Sequence, residues 1–270
     1  MTKQTTSSQK PAPQTAGQPL PLFYQKPTLL EAVNHADWGL NKDANVGFAA
    51  QANALPINLV EFPQIAHFYP IAFAHDAVAT PVAMVGVRDA ENLFVRDDKS
   101  WEPNVYVPAY IRRYPFILSE NQDGTQLSLC IDDTPNAVVR GGGDKFFDDK
   151  KQPTQTAKNA IEFCRSYHVA AKQTMEFGKA LLDAGVLVDR TADITLKNGQ
   201  RISFSGFRII DEAKFNKLPD ATLVEWRNKG WLAAAYAHLF SGMQWGNITR
   251  MLNARIEPEV TKAAPKSKKK

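Results

Sequence analysis

The sequence predicts an α+β fold: a mainly antiparallel sheet, a long amphipathic helix and a helical C-terminal part. Three observations carry this. Strand-like segments cluster and helix-like segments cluster, with no regular βαβ alternation. Two turn signals, Asp123-Gly124 and Asn198-Gly199, each lie between apolar runs, as hairpins require. Between Ala157 and Leu182 apolar groups recur at steps of three, four and seven, the period of a helix with one buried face.

The elements follow in order. Val46, Phe48, Ala50 and Ala52 alternate with polar or small residues and predict a half-buried strand. Phe62 to Phe68 predicts a short helix with Pro63 in its first turn. Ile71 to Ala74 and Val82 to Val87 predict two strands around a loop, and Leu93 to Val95 a third before the polar turn Asp97-Asp98-Lys99-Ser100. Pro108 suits the first position of a short helix to Tyr114, and Pro115 stops it. Phe116 to Ser119 and Gln126 to Ile131 form the first hairpin. A glycine-rich, charged connection then leads to the long helix, capped by Thr154 or Thr156 and ended near Gly185. Its apolar stripe is Ala157, Ile161, Cys164, Tyr167, Ala171, Met175 and Leu182. Thr191 to Leu196 and Arg201 to Phe207 form the second hairpin. Helices follow from Pro219 to Gly230 and from Trp231 to Phe240.

Length and composition set the domain plan. Of 270 residues, 44% are hydrophobic and 22% charged, enough for a sizeable core. Residues 1–20 are polar, Pro-rich and nearly free of large apolar groups, and residues 257–270 are Lys-rich, so both predict disordered tails around one domain spanning 21–256. The net charge is +4, and the tails contribute +2 and +3, which leaves the body at −1. That balance argues against a nucleic-acid-binding domain. Cys130 and Cys164 make neither a disulfide framework nor a zinc site. There is no apolar run long enough for a spanning helix, and no signal-peptide h-region behind Lys3. The expected location is therefore cytoplasmic, with a non-classical route to the cell surface as the alternative.

The common catalytic signatures are missing: no P-loop, no nucleophile elbow and no dinucleotide fingerprint. Arg140-Gly141-Gly142-Gly143-Asp144 could cradle an anion but reads as a flexible loop. Cys164 and His168 share a helix face, yet the cysteine falls on the apolar stripe and reads as core. His67, His75 and His238 stand alone in sequence. Asp132 and Asp133 end a strand, where they could act as acid and base or form a polar turn; adjacent strand residues point to opposite faces. Tyr110-Ile111-Arg112-Arg113-Tyr114 is the densest segment. Its tyrosines and isoleucine would bury, leaving paired guanidinium groups that suit either an acidic ligand or internal ion pairs. The candidate ligand-binding residues are thus Arg112, Arg113, Tyr110 and Asp132. No metal or cofactor is expected.

An ordered string of segments resembles the bacterial SapC family. The string runs from Tyr69-Pro70-Ile71-Ala72-Phe73 through Pro81 to Gly86, Glu91-Asn92-Leu93-Phe94-Val95 and Trp101. It continues with Val107 to Phe116, Cys130-Ile131-Asp132, Phe146-Phe147-Asp148-Asp149 and Tyr236-Ala237-His238-Leu239. The resemblance covers roughly residues 22–252 as one unit. The family's name implies association with a bacterial surface layer, and it brings no active-site residues to transfer. The function expected from it is that of a non-catalytic accessory or binding protein connected with the surface layer or envelope. The partner would be an envelope component or an acidic small ligand. The alternative is a hydrolase or transferase on an acidic envelope-related substrate, anchored by Arg112 and Arg113.

Overall fold

A computed structural model describes residues 20–120 and 126–263, with side chains through residue 256. In chain order it contains β1 (Pro27–Leu29), β2 (Trp38–Leu40), β3 (Ala54–Pro56), α1 (Phe62–Ile65), β4 (Ile71–Phe73), β5 (Pro81–Met84), α2 (Ala109–Arg113), β6 (Phe116–Glu120) and β7 (Leu127–Asp132). After these come β8 (Val138–Arg140), β9 (Asp144–Lys145), α3 (Gln155–Asp183), β10 (Leu187–Thr195), β11 (Arg201–Ile210), α4 (Glu212–Phe215), α5 (Asp220–Asn228), α6 (Trp231–Ser241) and α7 (Trp245–Ala263). The described strand pairs are antiparallel, so the expected α+β class is observed. The chain divides into two compact units, Met1–Ala44 with Arg113–Ser166 and Asn45–Arg112 with Tyr167–Lys270.

The first unit holds two three-stranded sheets, ordered β1-β7-β6 and β8-β2-β9. The first hairpin pairs as the sequence predicts, Phe116 facing Ile131 through to Glu120 facing Leu127. Its Asp123-Gly124 turn lies outside the described residues, as do residues 1–19 and 264–270 of the expected tails, whereas residues 257–263, expected to be disordered, continue α7. The glycine-rich stretch is the turn that lets β8 and β9 flank β2 on both sides. Gly141 and Gly143 take positive φ there, 73° and 68°, and a Cβ on Gly143 would collide with the Leu40 carbonyl. Trp38, Phe116, Ile131, Val138 and Phe146 form the core with Ala157, Ala160 and Cys164 of α3.

The second unit is built on a five-stranded sheet ordered β10-β11-β4-β5-β3. Phe177 of α3 is fully buried, with ring centroids of Phe62, Phe73, Trp226 and Trp231 at 5.9, 6.4, 6.3 and 6.0 Å. The next residue must be small: a Cβ on Gly178 would run into the Val78 carbonyl. Helix α6 is tied to the sheet by Ser241, whose Oγ accepts the Ile71 amide at 2.9 Å.

Four expectations change. Residues 46–52 are not a strand but contain a 3₁₀ turn, Gly47–Ala49. The Asn45 Oδ1 accepts the Gly47 amide at 3.0 Å, and this local side-chain bond curls the backbone. Leu93 to Val95 makes no regular strand: only Val95 bridges, to Trp101. Asn92 turns the chain by accepting the Phe94 amide, and the Arg255 guanidinium takes the carbonyls of Asn92, Leu93 and Val95 at 3.2, 3.0 and 3.4 Å. In α3 the buried positions are Ala157, Ala160 and Cys164, then Ala170, Thr174, Phe177, Gly178 and Leu181, while Met175 is exposed. The helical period is as expected, but the buried face of the later turns differs from the stripe read from the sequence. Thr154 precedes that helix, yet its hydroxyl donates to the Lys145 carbonyl at 2.6 Å instead of capping an amide.

Candidate functional site

The four residues singled out from the sequence have different surroundings. Tyr110 is buried edge-on to Tyr167, with ring centroids 6.3 Å apart. Arg112 is exposed, and its Nε donates to the Val107 carbonyl at 3.0 Å while Nη2 donates to the Tyr106 hydroxyl at 2.8 Å. That hydroxyl donates in turn to Glu61 Oε1 at 3.1 Å. Glu61 is buried and also accepts the Ala109 amide at 2.6 Å and the Asn58 amide at 2.9 Å. Burial, and then the Glu61 charge, raise the Tyr106 phenol, against a smaller opposing pull from Arg112. Arg112 thus joins a hydrogen-bond chain that ties residues 106–112 to the loop at Asn58–Glu61.

In the first unit, the Arg113 guanidinium lies 5.5 Å from the Tyr24 ring centroid. Asp132 is fully buried. Its Oδ1 accepts the amides of Gln25 and Lys26 at 2.9 and 2.6 Å, and its Oδ2 accepts the Tyr114 hydroxyl at 2.9 Å. Burial and the Asp132 charge push that phenol up to about 12, against the pull of the Thr134 hydroxyl. Asp133 turns the other way, as alternation requires, toward Lys26 at 3.1 Å and Arg140 at 2.8 Å. Burial opposes its ionisation, but those two cations hold its carboxyl below the usual range. Burial likewise pushes the Cys130 and Cys164 thiols up to about 11. Among the described residues no three His, Cys, Asp or Glu side chains gather as a metal site.

The three histidines do not share a site. His67 is exposed, and His75 lies 3.3 Å from the exposed carboxylate of Asp189. His238 is buried against Phe73, and its Nε2 accepts the Ile210 amide at 3.0 Å. Burial pulls its pKa from 6.5 to about 4, against a weaker upward pull from the Ile71 backbone. The folded protein therefore holds His238 neutral while the unfolded chain takes up its proton below pH 6.5. Stability from this residue is complete above pH 6.5, declines as pH falls toward 4 and levels off below. The expected total is about 3 kcal/mol. Urea unfolding at pH 7.5, 6 and 5 measures it, and His238→Gln, which keeps an acceptor for the Ile210 amide, should flatten that part of the curve.

A groove of about 640 Å³ lies in the second unit between residues 93–105 and α7. Asn247, Arg250, Met251, Ala254 and Arg255 line one wall, at helical steps of three and four. Arg96, Asp97, Asp98 and Glu102 line the other, over Leu93 and Phe94. Arg255 is held by the three carbonyls of residues 92–95, and Arg250 donates to Asn247 Oδ1 at 2.7 Å. Two cations thus stand on the helix wall, and three carboxylates with Arg96 stand opposite. Hydrogen bonds from Ser100 and the Arg96 charge keep the Asp98 carboxyl below its usual range. Such walls can hold an acidic group at one side of a ligand and a basic group at the other. The groove residues were not singled out from the sequence. Their only local signal is the shared helical face of Asn247, Arg250 and Arg255.

Residues 30–248 match the protein family described as SapC. Comparison with curated proteins and with solved structures finds no significant match.

Proposed function

Because the chain belongs to the SapC family, we propose that it is a non-catalytic binding protein connected with the bacterial surface layer or envelope. Its ligand is a small zwitterion, such as a short peptide or an amino sugar acid, seated between α7 and residues 93–105. The observation that carries this reading is the pair of oppositely charged walls, Arg250 and Arg255 facing Asp97, Asp98 and Glu102 across about 640 Å³, a volume in the range of small-molecule sites. The envelope connection rests on the family's name. An enzyme anchored by Arg112 fares less well, since that guanidinium donates to Val107 and Tyr106 of its own segment.

Calorimetry with zwitterionic dipeptides such as Ala-Glu and Lys-Glu, and with their amidated and acetylated forms, tests the proposal. Arg250→Met removes an exposed guanidinium whose partner is Asn247. It should leave the melting temperature unchanged and weaken binding about tenfold, the scale of one charge-assisted hydrogen bond. Unchanged affinity in that variant, or equal affinity for the blocked dipeptides, rejects the groove. Turnover of the bound dipeptide rejects the non-catalytic part.

A further inference from the structure

A second groove, of about 440 Å³, lies along β10 and the first turn of α7. The β10–β11 hairpin is irregular beside it. Arg190 pairs with Phe207 and Ala192 with Phe204, so Thr191 alone faces both Ser205 and Gly206. Gly206 has φ of 91°, which a residue with a side chain would adopt only under strain. The extra residue has a specific consequence. Phe204 and Phe207 are three apart and would point to opposite faces of a regular strand, but the bulge returns both to one face. Their rings stack at 5.5 Å and 19°, and Trp245 of α7 extends the row, 5.7 Å from Phe207.

Phe207 and Trp245 line the groove together with Ala192, Ile194 and Ile209. Cross-strand partners share a face, so Arg190 stands on the groove side with Phe207, whereas Asp193, opposite Ser203, stands on the other. Arg190 is exposed, and its guanidinium has no hydrogen bond or ion pair among the described residues. Thr191, Asp193, Thr195 and Thr249 also border the groove, and a cation without a partner at the end of a slot that holds two aromatic rings is complementary to an amphiphilic anion. We propose that this groove binds a small aromatic carboxylate, its ring against Phe207 and Trp245 and its carboxylate on Arg190. This site is separate from the groove at residues 93–105.

The probe is 2-naphthoate, with 2-naphthamide and 2-naphthylmethylammonium as neutral and cationic counterparts. Heteronuclear NMR titration of the full chain should show 2-naphthoate shifting the Trp245 indole N–H and the amides of residues 190–195. The ammonium compound should bind more weakly. Arg190→Met, an exposed substitution that should not alter folding, should weaken naphthoate about tenfold and leave naphthamide unchanged. Equal affinity for the anion and the cation overturns the proposal, as does an Arg190→Met variant that binds naphthoate normally. Shifts confined to residues 93–105 overturn it too. Dilution-dependent shifts at Trp245 without any probe also overturn it, because they would show the slot covered by a second copy of the chain.

Discussion

Replacing Phe177 by alanine is expected to lower the unfolding free energy by about 3–5 kcal/mol, the range for a buried phenylalanine cut to a methyl group. The ring is fully buried and stands between Phe62, Phe73, Trp226 and Trp231, all within 6.4 Å between centroids. These neighbours come from four separate elements of the second unit, so none can move in alone to fill the space. Phe177→Leu keeps most of the volume and should cost much less. Urea unfolding followed by tryptophan fluorescence reads both variants, since Trp226 and Trp231 adjoin the cavity. A loss under 1 kcal/mol for the alanine variant would mean that the ring is not the centre of that core.

The second large effect is expected at Asp132. Its two oxygens satisfy the amides of Gln25 and Lys26 and the Tyr114 hydroxyl. Asp132→Ala leaves these donors without their acceptor, at about 1–3 kcal/mol for each group that stays buried. The expected loss is about 3 kcal/mol or more. Asp132→Asn keeps one carbonyl oxygen for the two amides and should be milder. Hydrogen exchange should show the Gln25 and Lys26 amides losing protection in the alanine variant first. The same variants test the role read from the sequence: an alanine protein that keeps its stability but loses ligand binding would place Asp132 in a binding site. The observed geometry favours an anchor for the segment leading into β1.

The contrast between Asp132 and Arg112 shows how far sequence reading reaches into the candidate site. That Asp132 and Asp133 face opposite ways follows from strand alternation and is observed. That Tyr110 and Ile111 bury follows from helical spacing and is also observed. What each polar group touches did not follow. Arg112 meets Tyr106, which meets Glu61, 45 residues earlier in the chain. Asp132 meets amides more than 100 residues away. No local pattern encodes such distances.

The elements themselves divide along the same line. Sequence alone determined the α+β class, the long helix, both hairpins and the short helix before Pro115, because each rests on a period or a turn residue acting within a few positions. Asn198-Gly199 sets its turn through Gly199, whose φ is 84°. Only the tertiary structure decided the rest. Residues 93–95 have strand-like side chains, but their carbonyls go to Arg255, some 160 residues later. The buried face of the later turns of α3 depends on where Phe62, Phe73 and Trp226 stand, which the helix's own residues do not specify. Both grooves exist because α7 is held beside residues 93–105 and beside β10. The physical reason is one of range: backbone preference and side-chain periodicity act between near neighbours, whereas partners for charges and walls for cavities come from chain segments that only packing brings together.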